Sequence, residues 1–292
     1  MRREIQMSHS KLEKRLEKIS GLDALNELVR VAIESNPFPS GTLKHTSWRE
    51  QCLVNFPLLY LASLELFQYG SERECDTYLF ATRDGCHWHR IFQALFPACK
   101  AHYFHCSRNM LERATHHKND AYDAYVASLA SDPARVVYVD IHGTGKRMFN
   151  YFSRRWNKVP HCFLLTAVER SMDTMPGTTR KWAKRDRVRV LEWGMRGGPI
   201  EMLNYDLVGT LQNYSTRDGP VRDRLEYPQR YVKPHHACID FLVARLQPIQ
   251  ADAFSTSGDD VRHLIRRQCD LIARQKPAIA QHIEHVVKHE KS

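Results

Sequence analysis

The sequence lacks any apolar run long enough to cross a bilayer. Its longest, Phe56 to Ala62 and His161 to Val168, fall far short of the roughly 20 residues that a spanning helix requires. The N-terminal stretch MRREIQMSHSKLEKRLEKI has neither the apolar segment nor the small-residue cleavage site of a secretory leader, so a cytoplasmic protein is expected. No CxxC pair occurs. The eight cysteines, at positions 52, 75, 86, 99, 106, 162, 238 and 269, are scattered without the spacing of a structural zinc site, and most of them read as buried, reduced thiols. The histidine pairs His87/His89, His116/His117 and His235/His236 have no companion ligands at convincing spacing, so no metal is assigned to them. A GxxxxGK[ST] phosphate loop is absent. So are helix-turn-helix, zinc-finger and RNA-binding signatures, and a nucleic-acid partner is not expected. No low-complexity tract or internal repeat interrupts the chain.

What is present is an ordinary globular composition, 42% hydrophobic and 26% charged, over 292 residues. That length buries one sizeable α/β domain with helical additions. The formal net charge of +10 calls for an anionic partner without choosing its kind.

Periodicity orders the chain. Leu12 to Ile33 has apolar residues at helical spacing with a break at Gly21 and Asp23 as a cap, which predicts an N-terminal helical hairpin. Trp48 to Tyr69 predicts a helix, kinked or restarted near Pro57. Strands are predicted at Thr77 to Thr82, His102 to Cys106, Val136 to Val139 and Cys162 to Ala167, with helices between them at Trp88 to Phe96, Met110 to Leu129 (one or two) and Arg147 to Trp156. This alternation predicts a parallel sheet covered on both faces, with ligands at the carboxyl ends of the strands. Beyond residue 170 the pattern loosens to a short strand at Val188 to Glu192, a turn at Gly194 to Gly198, and helices at His235 to Leu246 and Val261 to His289. The expected division is a helical region 1–70, an α/β core 71–170, and an acceptor or lid region with a C-terminal helical cap 171–292.

Two strand-ending loops carry the chemistry. In VVYVDIHGTGKRM, an acid, Asp140, ends a buried strand, and small residues then lead into a helix. Backbone N–H groups and the helix dipole favour an anion there, glycine permits its approach, and Thr144 and Lys146 add donors. The upstream loop, Thr82-Arg83-Asp84-Gly85, has the same strand–loop–helix setting. Asp84-Gly85 also reads as a simple turn, and Arg108 as a surface cation. Among the tryptophans, Trp193 beside Gly194 is the one whose position suits an exposed sugar platform.

The Asp140 loop resembles the phosphoribosyl-pyrophosphate (PRPP) loop of type I phosphoribosyltransferases. There a hydrophobic strand runs into two acids and ends in Thr-Gly; Asp140 stands at the second acid and Val139 at the first. The FATRDG segment resembles that family's pyrophosphate loop. Over residues 45 to 245, the series ATRDG, YFHCSR, VDIHGTG and PIEMLNYDLVGTLQNY resembles modules that accompany glycosyltransferases in bacterial polysaccharide clusters, often labelled haloacid-dehalogenase-like. The resemblance implies a type I phosphoribosyltransferase-like sheet. It also implies an activity: transfer of 5-phosphoribofuranose from PRPP to a glycan hydroxyl, with inversion and pyrophosphate release, in O-antigen or capsule biosynthesis. Asp84, Asp140 and Glu201 are the implied catalytic carboxylates. Thr82, Arg83, Gly85, Arg108, His142, Gly143, Thr144, Gly145 and Lys146 are the implied ligand-binding residues, with Mg²⁺ bound mainly through PRPP. The implied partners are the PRPP donor, an oligosaccharide or lipid-linked acceptor at the inner face of the membrane, and a separate phosphatase and glycosyltransferases.

Two alternatives stand beside this reading. A dehalogenase-type phosphohydrolase would use Asp84 or Asp140 as nucleophile, but the second aspartate two residues on is absent, since position 86 is Cys and position 142 is His. A non-catalytic PRPP-binding regulatory module would keep the fold and bind without turnover.

Overall fold

The computed structural model describes residues 22–225, 227–249, 258–275 and 277–280. Five parallel strands form the central sheet: β1 (Thr77–Ala81), β2 (Lys100–Phe104), β3 (Val136–His142), β4 (His161–Thr166) and β5 (Val188–Glu192). Their order is β2-β1-β3-β4-β5. β1, β3 and β4 read as continuous apolar runs because each is flanked by strands on both edges and covered on both faces. Alternation along the strands sorts their side chains: Tyr78, Phe80, Val137, Val139, Ile141, Phe163 and Leu165 enter one core, while Leu79, Ala81, Val136, Tyr138, Cys162 and Leu164 enter the other.

The first core is covered by helices from both ends of the chain: α1 (Asp23–Glu34), α2 (Leu43–Glu50), α3 (Phe56–Ser71) and α4 (Cys86–Leu95), with later helices closing over them. The second face is covered by α5 (Arg108–His116), α6 (Asp120–Leu129) and α7 (Lys146–Trp156). Next in the chain come α8 (Gly177–Ala183), α9 (Gly197–Leu203) and an antiparallel hairpin, β6 (Leu211–Ser215) with β7 (Gly219–Arg222). The last two helices are α10 (Gln229–Val243) and α11 (Gly258–Gln275). α11 is clasped to the first face by Arg262, 3.3 Å from the buried Glu65 of α3, and by Arg266, 3.0 Å from Glu192 of β5. The sheet runs past residue 170, because β5 pairs with β4.

Several boundaries differ from expectation for physical reasons. Leu22, not Asp23, occupies the N-cap of α1, and Asp23 is the first helical residue with no capping bond. Residues 12–21, the first arm of the expected hairpin, lie outside the described residues, as do 281–289 of the expected C-terminal helix. β2 begins and ends two residues earlier than predicted, because Ser107 caps α5 by accepting from the Met110 N–H at 3.0 Å and the chain must turn before it. The predicted Gly194 to Gly198 turn is shorter, since Gly197 and Gly198 open α9. The β6/β7 hairpin was not foreseen.

Pro57 explains the break in the long helix. Its ring excludes the carbonyl four residues back, and the chain passes from α2 through a π-helical turn, Gln51–Asn55, before α3 restarts. That wide turn aims amides inward. Asn55 and Asn204, both fully buried, exchange two side-chain hydrogen bonds at 2.9 Å, and Gln51 donates to the Leu203 carbonyl at 2.6 Å. The C-terminus of α9 is thereby bolted to the π turn. Replacing Asn55 with leucine strands the Asn204 amide in the core, and is predicted to lower unfolding free energy by about 2–4 kcal/mol in denaturant titration. A loss below about 0.5 kcal/mol would show that the network contributes nothing.

Candidate functional site

With this strand order, the winding of the sheet reverses between β1 and β3, where a doubly wound sheet opens a crevice beyond its carboxyl ends. Both expected loops lie there. Phe80 of β1 is in register with Val139 of β3, so the segments that follow them emerge side by side.

β3 is longer than expected and includes Asp140, Ile141 and His142; the connecting loop is only Gly143–Gly145. The period of two therefore places Tyr138, Asp140 and His142 on one side of the strand. The Tyr138 hydroxyl donates to Asp140 Oδ2 at 3.3 Å. His142 Nδ1 lies 3.0 Å from Thr166 Oγ1, which donates its own proton to the Ile141 carbonyl at 2.8 Å. Thr166 can then only accept from His142, which fixes the proton on Nδ1 and leaves the lone pair on Nε2. Burial holds the His142 imidazole below its ordinary pKa, against the opposing pull of Glu201 and Glu169, so the ring is neutral near pH 7.

Asp84, Asp140 and Glu201 are drawn together. Burial first, then the charge of Glu201, raises the Asp140 carboxyl to about 7. Asp84 is raised well above the ordinary range by burial and then by Glu201, with Asp140 adding to the effect and Arg83 and Arg108 opposing it. Three carboxylates in one crevice, opposed mainly by arginines, form a site that repels its own charge.

Arg83 stands at φ 75, in the left-handed region that a non-glycine residue enters at a cost. Its backbone N–H donates to the Tyr103 hydroxyl at 2.8 Å, and its guanidinium Nη1 donates to Thr210 Oγ1 at 2.7 Å. Tyr103 in turn donates to Asp206. The segment from Glu201 to Leu211 thus straps the ends of β1 and β2 together, and Ser107 adds a bond to the Leu211 carbonyl at 2.7 Å.

Of the expected ligand-binding residues, Thr82 is engaged elsewhere. It is buried, donates to the Cys106 carbonyl at 2.6 Å and accepts from the Cys106 N–H at 3.0 Å, so it latches β1 to β2. Gly85 is a steric necessity, since a Cβ there would lie 2.4 Å from the Ala81 carbonyl oxygen. The Gly143 N–H is taken by the Thr166 carbonyl at 3.3 Å. Gly145 caps α7 at φ 67, and a Cβ there would lie 2.6 Å from Cys162 Sγ. The N–H groups of Thr144 and Gly145 donate to no acceptor among the described residues, and the first intrahelical bond of α7 is Phe149 N–H to Gly145, at 3.0 Å. This leaves an open anion cradle at the start of an eleven-residue helix. The Lys146 and Arg108 side chains are exposed beside it. Arg147 faces away and pairs with Glu112 of α5 at 3.1 Å. Trp193 is half-buried against the second core.

Sequence reasoning missed Tyr138, Thr166, Tyr103, Asp206 and Thr210, which orient the expected residues. Tyr138 was findable from its i−2 relation to Asp140; the others follow only from strand pairing and the strap. It also missed a cluster behind the Asp84 loop, where Cys86, His87 and His236 bring ligand atoms within 4.8 Å of one another. The pairwise spacing of histidines in sequence could not show this, because His236 arrives on α10 from 149 positions away. Compared with models of known protein families and with characterised proteins, the chain matches none.

A carboxyl raised to about 7 in the folded chain, from an ordinary value near 3.8, favours folding fully below the lower value and loses that contribution as pH rises through about 7. Asp140→Asn removes the penalty. The variant-minus-parent difference in unfolding free energy is predicted to climb between pH 4 and 7 and then level off, by about 1–3 kcal/mol after allowing for partial solvent screening. Chemical denaturation at stepped pH checks it, and a pH-independent difference would refute the assigned ionisation.

Proposed function

We propose that the protein is a phosphoribosyltransferase-type glycosyltransferase that moves 5-phosphoribofuranose from PRPP to a glycan hydroxyl. One observation carries this reading: three converging carboxylates and an open helix N-terminus face the same crevice at the β1/β3 switch point. A ligand that suits both must combine phosphate with hydroxyls or a metal ion, as Mg²⁺-PRPP does. On this reading the sheet is a type I phosphoribosyltransferase-like core.

The 5-phosphate sits on the N–H groups of Thr144, Gly145 and the first turn of α7, with Lys146 alongside. Asp140 accepts from the ribose hydroxyls. Arg108 and the backbone around Arg83 receive the diphosphate. Mg²⁺, if held by one or two of these acids together with the substrate phosphates, would supply positive charge against the departing diphosphate.

In the reaction the bond from C1 to the diphosphate oxygen breaks, with the electron pair leaving on pyrophosphate. The acceptor oxygen bonds to C1 from the opposite face, and its proton passes to a base, Asp84 or the free Nε2 of His142. Glu201 supports the positive charge that develops on the ribosyl centre. The 5-phosphate remains on the product, which calls for a separate phosphatase. A cleft along α8 and the turn after it, lined by Asp173, Arg180, Lys181, Lys184 and Arg185 and basic on balance, lies near the cradle through the Thr179 bond to the Thr144 carbonyl at 2.7 Å. It suits a lipid-linked pyrophosphoryl acceptor reached from the cytoplasmic face of a membrane.

Thermal unfolding with Mg²⁺-PRPP, against ribose 5-phosphate and pyrophosphate, tests the donor. Saturation at ~100 times the dissociation constant should add about 2.7 kcal/mol of stability, and Asp140→Ala should abolish the PRPP-specific part. Equal shifts with pyrophosphate alone, or none at millimolar PRPP, would overturn the assignment.

A further inference from the structure

We propose that Cys86, His87 and His236 bind a thiophilic divalent ion of the zinc class, which pins the start of α4 to α10 directly behind the Asp84 loop. This does not depend on what the loops bind.

Geometry comes first. All three ligand atoms lie within 4.8 Å of one another. The Cys86 Sγ to His87 Nδ1 separation is 3.6 Å, and the two imidazole centroids are 4.5 Å apart. Tetrahedral zinc, with Zn–S of about 2.3 Å and Zn–N of about 2.0–2.1 Å, has an S to N edge of roughly 3.5 Å. A sulfur and two imidazoles are a donor set for zinc or its chemical neighbours rather than for a hard ion such as Mg²⁺.

One further observation points to a ligand. His236 Nε2 lies 2.9 Å from the Tyr205 carbonyl, which can only accept, so Nε2 carries the proton and Nδ1 holds the lone pair. Donation of one ring N–H to a backbone carbonyl while the other nitrogen faces the metal is the usual support for a histidine ligand.

Binding exchanges the thiol proton for the ion. The S–H bond breaks, its electron pair forms the S–metal bond, and one proton leaves to solvent. The fourth position of the tetrahedron is left for water.

The test uses the full chain, stripped with chelator and titrated with Co²⁺ and then Zn²⁺. The expected result is ~1 equivalent of Co²⁺ giving a thiolate-to-cobalt charge-transfer band and the visible bands of a tetrahedral ion, both erased by Zn²⁺. Cys86→Ser should lose the charge-transfer band. His236→Ala should weaken Co²⁺ binding at least about 100-fold, and His102→Ala, on β2 outside the cluster, should leave it unchanged. Absence of a charge-transfer band in the wild-type chain, shown folded by circular dichroism, overturns the proposal whatever the variants do. So does retention of that band in Cys86→Ser.

Discussion

Confinement of Asp84, Asp140 and Glu201 to one half-buried crevice is the constraint around which the carboxyl end of the sheet is built. Burial first, and the charge of Glu201 second, push Asp84 and Asp140 toward protonation, and an unsupported crevice would open to let them hydrate. Each acid is therefore held from behind. Asp140 is placed by β3 and the Tyr138 hydroxyl, Asp84 by the strained Arg83 that precedes it, and Glu201 by α9, whose end is fixed through Asn204 and Asn55 to the π turn. A proline that merely interrupts a helix in sequence thus helps to aim a carboxylate on the far side of the core.

The supports also explain why the strap from Glu201 to Leu211 matters although it contributes little to the apolar interior. Asp206, Thr210 and the Leu211 carbonyl each take a bond from the end of a different strand or loop, Tyr103, Arg83 and Ser107 respectively. Strain at Arg83 persists because two separate hydrogen bonds determine its conformation.

Much of the frame was legible in the sequence. Apolar runs at 77, 136 and 162, each ending in polar or small residues, identify buried parallel strands, and the helices between them follow from periodicity. The two loops were legible because Asp-Gly and Gly-Thr-Gly sit where strands stop. What could not be read was whatever depends on two distant segments meeting. That His142 faces Thr166 follows from β3/β4 register. That Thr82 faces Cys106 rather than the crevice follows from β1/β2 register and the turn into α5. The end of β3 was placed too early because Asp140 and His142 look like loop residues, yet their backbone pairs with β4 through Thr166. Cys86, His87 and His236 converge only once α10 folds back over α4.

The most direct test of the central claim is a pH titration of the carboxyl carbons of Asp84 and Asp140 by NMR, each assigned by its own amide variant. The account predicts that Asp140 titrates near 7, that Asp84 titrates well above the ordinary aspartate range, and that replacing Glu201 with glutamine moves both downward. Titration of Asp84 and Asp140 near ordinary carboxylate values, unmoved by Glu201→Gln, would mean that the acids do not share a site.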